Sequence, residues 1–238
     1  MHMDKWLTCG VSVIGSSHAA HGLPNQDAWL GHSIDGFNVL AVSDGVGSCA
    51  HAEHGSKAAC RAVLAAARAF RRKTVTSQSL PGYIHNIWLE YVRPYEPDDC
   101  AATCLFAVRA GDRLLVGRLG DGFIAVCSRS GLNDYLLKDN KEHSFVNLTD
   151  SLWSGSCKWE IKLLHARLYD NIIICTDGLP FEGSESRFAK DMRGQYAGMD
   201  PKAREKDIKS WLECLNRPDC RDDKTVACLF RKGVRASQ

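Results

Sequence analysis

An aspartate followed by glycine at the end of an apolar run is the feature that most constrains this chain. The run Phe37–Val42 leads directly into Ser-Asp44-Gly45-Val-Gly47, and an alanine-rich stretch occupies residues 58–67. The apolar run predicts a buried strand and the alanine-rich stretch predicts a helix. Between them, a carboxylate held by a sheet and a glycine that allows close approach suit the binding of a hard cation. Taken alone, Asp-Gly is also a common turn.

The same pattern recurs along the chain. The runs 171–176 and 114–119 end in Asp177-Gly178 and Gly120-Asp121-Gly122, and Asp222-Asp223 opens an apolar run that continues to Phe230. Adjacent antiparallel strands bring the end of one strand beside the start of the next. We therefore expect these acids to share one edge of a sheet.

Length and composition predict an ordinary globular protein. With 238 residues, 45% of them hydrophobic and 24% charged, the chain is expected to form one domain over residues 1–238. A net charge of +2 disfavours a dedicated nucleic-acid-binding protein, and there is no apolar stretch long enough for a membrane span. Neither nucleic acid nor a membrane is therefore expected as a partner.

The cysteines indicate a reducing compartment. There are 11, an odd number without any Cys-x-x-Cys pair, and Cys104, Cys175 and Cys228 lie in apolar runs. They are interpreted as small buried hydrophobic residues rather than zinc ligands. The first residues show no secretory signal, so a cytoplasmic location is expected.

The sequence predicts a succession of strands and helices. Residues 15–24 are expected to form a loop, in which His18 and His21 either bind an anion or are simple loop histidines. A short strand is expected to begin near Asp27, which is either a turn carboxylate or a carboxylate of a metal shell. An antiparallel meander is expected over residues 101–128, and a mobile insertion with some helix over residues 180–199. Further strands are predicted at 8–14, 160–168 and 222–230, and helices at 53–72, 80–92 and 201–215.

In this order the motifs resemble those of the metal-dependent protein serine/threonine phosphatases, the type 2C or PPM family, and most closely its small bacterial branch. The resemblance covers nearly the whole chain. The matching segments are Gly15-Ser-Ser-His18, Asn25-Gln26-Asp27, Val42–Gly47, Gly120-Asp121-Gly122, Thr176–Leu179 and Asp222–Thr225.

The resemblance implies an α+β fold, a four-layer α-β-β-α sandwich of two antiparallel sheets flanked by helices. It also implies two Mn²⁺ or Mg²⁺ ions. By motif position, Asp44 would bridge both ions, the Gly45 carbonyl would hold one, and Asp177 and Asp222 would hold the other. Asp27 would act through water, and Asp121 matches the acid of a weaker third site.

The implied activity is hydrolysis of phosphoserine and phosphothreonine in proteins by direct attack of a metal-bridging hydroxide, with a cognate kinase as a further partner. Phosphate monoesters are among the slowest groups to hydrolyse in water, and two cations can activate water and clamp the phosphoryl oxygens. Asp44, Asp177 and Asp222 are the implied catalytic residues.

Three positions depart from the family pattern. Gly22 stands where many members have a phosphate-binding arginine, and His18 or His21 is the predicted substitute. Val46 replaces a histidine that is frequent in animal members. Phe181 replaces an acid of the third metal site, for which the neighbouring Glu182 is a candidate replacement.

Two hypotheses from different classes remain. An active phosphatase is favoured because every acid expected around the two-metal centre is present. A catalytically weak protein that binds phosphoproteins or acts as a regulatory module is the alternative, because the arginine is missing.

Overall fold

The computed structural model describes residues 5–132, 134–138, 150–153, 157–180, 183–215 and 220–232. The strands are β1 (Trp6–Val13), β2 (Ala28–Ile34), β3 (Phe37–Ser43), β4 (Cys104–Ala110), β5 (Arg113–Leu119), β6 (Phe123–Ser128), β7 (Tyr135–Lys138), β8 (Glu160–His165), β9 (Tyr169–Cys175) and β10 (Lys224–Arg231). The α-helices are α1 (Ser16–Ala20), α2 (Ala52–Arg71), α3 (Leu80–Tyr91), α4 (Glu185–Gln195) and α5 (Pro201–Cys214).

The strands form two five-stranded antiparallel sheets. Sheet A has the order β1-β10-β9-β6-β7, and sheet B has the order β2-β3-β4-β5-β8. Strand β10 therefore lies between β1 and β9, although these strands are far apart in sequence. The two antiparallel sheets expected from the resemblance are confirmed.

Three apolar layers hold the sheets and helices together. Residues such as Leu40, Leu105, Ile174 and Leu229 fill the space between the two sheets and are fully buried. Helices α2 and α3 cover the outer face of sheet B, while α4 and α5 cover that of sheet A. Because alternate strand residues point to opposite faces, each central strand supplies two of these layers. The four-layer α+β sandwich is thus confirmed.

Helix α2 combines close packing with an unusual end. Small residues such as Ala62 and Ala66 are fully buried against sheet B, and the Trp88 indole of α3 donates to the Gly55 carbonyl at 3.1 Å. At its end, Thr74 N donates to Ala69 O and Lys73 N to Phe70 O, both at 3.1 Å. This is a Schellman arrangement, and Lys73 occupies its left-handed position with φ 63°.

Some local predictions were wrong. Residues 15–24 do not form a plain loop, because Ser16–Ala20 make a short helix that Ala19 N and Gly15 O close at 3.0 Å. The expected meander over residues 101–128 is divided between the sheets, since β5 belongs to sheet B and β6 to sheet A. The strand expected over residues 160–168 ends at His165 and continues as a 3₁₀ helix.

The expected mobile insertion contains an anchored helix. In α4, Ala189 and Met192 are buried against sheet A, as is Tyr196 at the helix end. The predicted helix in this segment is confirmed, and the mobility of the insertion stays a prediction. The helices expected near residues 53–72, 80–92 and 201–215 all form, with ends within one residue of those predicted.

The Asp-Gly turns gather at one end of the sandwich but not along one sheet edge. Asp44 follows β3 of sheet B, whereas Asp177 follows β9 and Asp222 precedes β10 in sheet A. The expectation of a single edge was wrong because sequence alone does not assign these strands to two facing sheets. In the described part of the chain, no helix has both the length and the apolar character needed to cross a membrane.

Candidate active site

Four aspartates converge where the two sheets end together. Asp27 precedes β2, Asp44 follows β3, Asp177 follows β9 and Asp222 precedes β10. Asp27 is buried, Asp44 is half-buried, and Asp177 and Asp222 are exposed. The acids thus line a site that is closed on its sheet side and open to solvent on the other.

The environment of Asp44 opposes its negative charge. Burial raises the pKa of Asp44 well above its ordinary value, and the charges of Asp27, Asp177 and Asp222 raise it further. The backbone at this position is fixed by Thr103, whose hydroxyl accepts from Asp44 N at 2.8 Å and whose N–H donates to Asp44 O at 2.8 Å. A cation at this point would relieve the repulsion among the four carboxylates.

Asp27 is held by two threonines and retains one buried oxygen. Its Oδ2 accepts from Thr176 Oγ1 at 2.9 Å and from Thr225 Oγ1 at 2.7 Å. Its Oδ1 is buried and has no hydrogen-bond partner among the described residues. Burial raises the pKa of Asp27 to about 7, against the lowering effect of these hydroxyl groups. The free oxygen is a ready acceptor for a water or cation in the site.

Asp223 joins three segments around the acids. This buried carboxylate accepts from Gly15 N at 2.6 Å, from Gln26 N at 2.6 Å and from His18 Nδ1 at 2.9 Å. The first two partners belong to the segments that precede α1 and Asp27. Asp223 therefore fixes the start of β10 against the N-terminal part of the chain, although 208 positions separate it from Gly15.

Two glycines allow this close approach. A Cβ on Gly178 would lie 1.9 Å from the Asp223 carbonyl oxygen, and one on Gly15 would lie 2.2 Å from the Arg221 carbonyl oxygen. Such distances exclude any side chain unless the backbone moves. The glycines of two separate motifs are thus explained by contact with the segment that carries Asp222.

The two histidines occupy different positions. His18 lies beside the acids through its Nδ1 contact with Asp223. His21 is exposed, and its Nδ1 contacts the Ser17 carbonyl at 2.8 Å. No hydrogen bond or ion pair within the described residues joins His21 to an acid of the site. That either histidine binds phosphate stays a prediction.

The remaining predicted residues lie at the same end of the molecule. Gly45 N donates to Gln26 O at 3.2 Å, and Gly45 forms a β-bridge with Ala102. Asp121 lies in the crossover from β5 to β6, which begins at this end. Gly22 is exposed, Val46 donates its N–H to Ala101 O at 2.9 Å, and Phe181 and Glu182 lie outside the described residues.

The oxygen donors fit a hard divalent cation, provided that the side chains are not its sole ligands. Within the described ranges, no group of three or more His, Cys, Asp or Glu side chains is arranged to hold a metal unaided. The repulsion at Asp44 and the unpaired Oδ1 of Asp27 nevertheless point to a positive charge between them. Carboxylates together with main-chain carbonyls and water match the ligand preference of Mg²⁺ and Mn²⁺.

The residues that position the acids were not predicted from the sequence. Asp223 was noted only as part of an Asp-Asp pair, and the threonines 103, 176 and 225 were not singled out. Two of these residues adjoin predicted ligands: Thr176 precedes Asp177 and Asp223 follows Asp222. A polar residue beside a predicted ligand is the signal that could have identified them, whereas Thr103 carries no such signal.

Comparison with known proteins places this geometry in context. A comparison with curated proteins gives no significant sequence match. Among solved structures, the serine/threonine phosphatase Stp1 from Staphylococcus aureus is 14% identical with a TM-score of 0.65, covering 98% of this chain and 99% of its own. RsbX in complex with magnesium is 15% identical with a TM-score of 0.62, covering 96% of both chains.

A third solved structure contains manganese. The catalytic domain of the serine/threonine protein phosphatase PstP, in complex with two manganese ions, is 18% identical with a TM-score of 0.60. The match covers 96% of this chain and 99% of that domain. At these identities the three similarities establish a common fold.

The sequence itself carries the family assignment. Residues 14–213 match the sequence profile described as protein phosphatase 2C. This range contains Asp27, Asp44, Asp121 and Asp177, while the structural matches extend over the remainder that includes Asp222. The chain therefore belongs to the protein phosphatase 2C family, whose members are phosphoprotein phosphatases.

Proposed function

We propose that this chain is a metal-dependent protein phosphatase that hydrolyses phosphoserine and phosphothreonine by direct attack of a hydroxide. One observation carries this proposal: four aspartates from separate loops meet so closely that three of them raise the pKa of the fourth, Asp44. Folding brings such mutually repelling charges together at a cost, which a bound cation would offset.

The proposed ligands are those implied by the resemblance. Asp44 and the Gly45 carbonyl, with Asp177 and Asp222, would hold two Mn²⁺ or Mg²⁺ ions, and Asp27 would act through water. Asp121 is proposed for a weaker third site. Cations held by these residues would supply an activated water and would neutralise phosphoryl oxygens, so that no covalent enzyme intermediate would be required.

The contribution of the chain itself is to hold these oxygens in place before substrate arrives. Thr176 and Thr225 fix one oxygen of Asp27, and the other is buried without a hydrogen-bond partner among the described residues. Asp223 fixes the segments that carry Asp27 and Asp222 against each other. Such preorganisation lowers the cost of assembling the site during the reaction.

We propose phosphorylated proteins as substrates and a serine/threonine kinase as the source of the phosphate. A cytoplasmic location is proposed as well. It is supported by the cysteines, all 11 of which are free thiols in the structure, as expected in a reducing compartment. No observation in the described residues favours the alternative of a catalytically weak binding module.

The test is hydrolysis of a phosphothreonine peptide and of p-nitrophenyl phosphate with Mn²⁺, with Mg²⁺ and with chelator. We expect turnover that requires a metal and falls at least about a thousandfold in Asp44→Asn, because the charge that would bridge the cations is lost. Calorimetric titration with Mn²⁺ gives a second measurement that is independent of turnover.

Asp35→Asn is the matched control. Asp35 is an exposed acid in the turn between β2 and β3, at the opposite end of the sandwich. This variant should keep both Mn²⁺ binding and turnover. Metal-independent turnover, or folded wild type that neither binds Mn²⁺ nor hydrolyses either substrate, would contradict the proposal.

A further inference from the structure

The end of the sandwich opposite the acids is strongly basic. Helix α2 finishes there with Arg71, Arg72 and Lys73, all exposed. We define the basic end by six exposed residues: Lys5, Arg71, Arg72, Lys73, Arg129 and Lys232. The net charge of +2 conceals this separation of acidic and basic ends.

Contacts between elements place these residues at the same end. The Arg71 guanidinium lies 5.1 Å from the ring centroid of Phe37, the first residue of β3. Across the two sheets, the Arg109 guanidinium lies 5.5 Å from the ring of Trp6, the first residue of β1. Lys232 N donates to Lys5 O at 2.7 Å, which joins the end of β10 to the start of β1.

The basic residues are not neutralised locally. Within the described residues, none of the six forms an ion pair. Of the nearby acids, Asp112 pairs with Arg167 at 3.1 Å, and Asp170 is buried against Arg193 at 2.6 Å. The exposed acids Asp35 and Asp134 also lie at this end, and they are fewer than the six cations. The positive potential of this end is therefore available to an external partner.

Two aliphatic side chains project from the same end. Ile34 is 46% exposed at the end of β2, and Leu168 is 49% exposed beside Arg167. Ile34 lies at one edge of sheet B, and Leu168 lies in the 3₁₀ helix between β8 and β9, where its carbonyl accepts from Arg129 N at 3.1 Å. Aliphatic side chains among cations favour a lipid surface over a purely polar polyanion.

The positive charge at Lys73 is retained at an unfavourable backbone position. Its φ of 63° belongs to the left-handed region, where glycine is the usual residue at the end of a helix. A lysine there costs stability that glycine would not. This cost is consistent with a role for the charge outside the fold.

From these observations we propose that the basic end binds the surface of an anionic lipid bilayer. Recognition of a peptide generally uses a groove or a sheet edge, whereas these cations spread over helix ends, strand ends and turns of both sheets. Lipid headgroups require only such a distributed positive surface, and Ile34 and Leu168 add apolar contact. The expectation of no membrane partner rested on the lack of an apolar stretch long enough to span a bilayer, which does not address binding at a surface.

This orientation directs the acidic site away from the lipid. Helix α2 has 20 residues and runs from the acidic end to the basic end, a distance of about 30 Å. The site would therefore face the aqueous phase while the opposite end contacts the bilayer. A substrate held at the same bilayer would reach the acidic site only with a segment long enough to extend past the protein.

The experiment is co-sedimentation with phosphatidylcholine vesicles, with and without phosphatidylglycerol, at low salt. We expect wild type to bind only the anionic vesicles, and Arg72→Glu/Lys73→Glu to lower the partition coefficient at least about tenfold. The matched control, Lys57→Glu/Lys158→Glu, makes the same charge change at exposed positions away from the basic end. It should retain most of the binding, and every variant should retain turnover of p-nitrophenyl phosphate.

A second pair of measurements separates lipid from other polyanions. Ile34→Ser/Leu168→Ser should weaken vesicle binding severalfold without changing retention on heparin. No binding of wild type to anionic vesicles, or equal losses in the two charge-reversal variants, would overturn the proposal. It would also fail if the serine variant bound vesicles as wild type does, because a general polyanion surface for nucleic acid or acidic protein would then explain the charges.

Discussion

The Asp44 carboxyl group is buried beside three other acids, and the consequence can be measured without any substrate. We expect Asp44→Asn to raise Tm of the metal-free protein by roughly 2–8 °C, because it removes a charge whose pKa the fold raises well above its ordinary value. Thermal unfolding in chelator measures this. A lower Tm in the folded variant would mean that the Asp44 charge stabilises the metal-free site.

Asp27 gives the metal-free protein a defined dependence on pH. Burial raises the pKa of Asp27 from 3.8 to about 7 in the folded state, so the folded protein binds this proton more tightly than the unfolded chain does. The stabilisation is complete below about pH 4 and is lost as pH rises through 7. Urea unfolding of metal-free protein at pH 5 and pH 8 should show it.

The matched variant is Asp27→Asn, in which the loss of stability between these pH values should be smaller. Adding Mn²⁺ to wild type should reverse the trend, because cations bind the deprotonated carboxylates. An identical pH dependence in wild type and Asp27→Asn would contradict the assignment to this residue.

Asp223 and His18 allow positioning to be separated from phosphate binding. Asp223→Ala leaves two buried backbone donors and the half-buried His18 Nδ1 unpaired and should cost roughly 3–5 kcal/mol. His18→Ala removes only the half-buried contact and should cost about 1 kcal/mol. Chemical unfolding checks both values.

If His18 or His21 binds phosphate, the double alanine variant should raise KM for the phosphopeptide. An unchanged KM would contradict that prediction.

At the residue scale, the sequence alone predicted the acids better than their supports. Asp44, Asp177 and Asp222 were identifiable because each adjoins an apolar run, whereas Asp27 stayed open between a turn and a metal-shell carboxylate until the family resemblance assigned it. The position of Asp223 beside Asp222 could have identified it as a candidate, but its contacts were not predictable, because its partners Gly15 and Gln26 lie near the other end of the sequence. A contact made only by folding leaves no local pattern.

At the scale of elements, two glycines with opposite surroundings give a matched test. Gly178→Ala would place a Cβ 1.9 Å from the Asp223 carbonyl oxygen, so we expect a loss of more than about 3 kcal/mol and of Mn²⁺ binding. Gly194→Ala, in α4 with nothing within 4 Å, should instead stabilise by about 0.5–1 kcal/mol. Equal effects would contradict the packing of the Asp177 turn on β10.

At the end of α2, one residue affects both the stability of the fold and the surface charge. Replacing Lys73, with φ 63°, by glycine relieves the left-handed backbone and should stabilise by about 1 kcal/mol. The same Lys73→Gly change should weaken binding to anionic vesicles. Thermal unfolding and co-sedimentation of one variant measure both effects, and a fall in Tm would show that the lysine stabilises the helix end.

Helices and strands were predicted well where a sequence pattern is long. They were predicted poorly where the structure depends on which strand pairs with which. Helix α2 was predictable because its apolar positions repeat over 20 residues. The division of residues 101–128 between two sheets was not, because β6 would satisfy its apolar pattern equally well beside β5 or beside β9. Short α1 has no buried residue that a pattern could reveal.

For the whole molecule, net charge was a poor guide because it averages over opposite ends. The acids gather where β3, β9 and β10 meet, and the cations lie at the opposite end of the sandwich, next to β1, α2, β6 and β10. The separation of the charges becomes visible only when the direction of each strand is known. Strand direction follows from the pairing of the strands in the sheets and not from composition. The family was nevertheless predictable from the order of the motifs.

The position of β10 between β1 and β9 in sheet A has a consequence for synthesis. Strands β1 and β9 have no direct pairing and meet only through Lys224–Arg231. A ribosome must therefore release nearly all of the described chain before Asp222 and Asp223 can reach the segments around Gly15 and Asp27, 208 positions upstream in the case of Gly15. A nascent or truncated chain thus holds no assembled site, so activity begins only once the final strand has inserted.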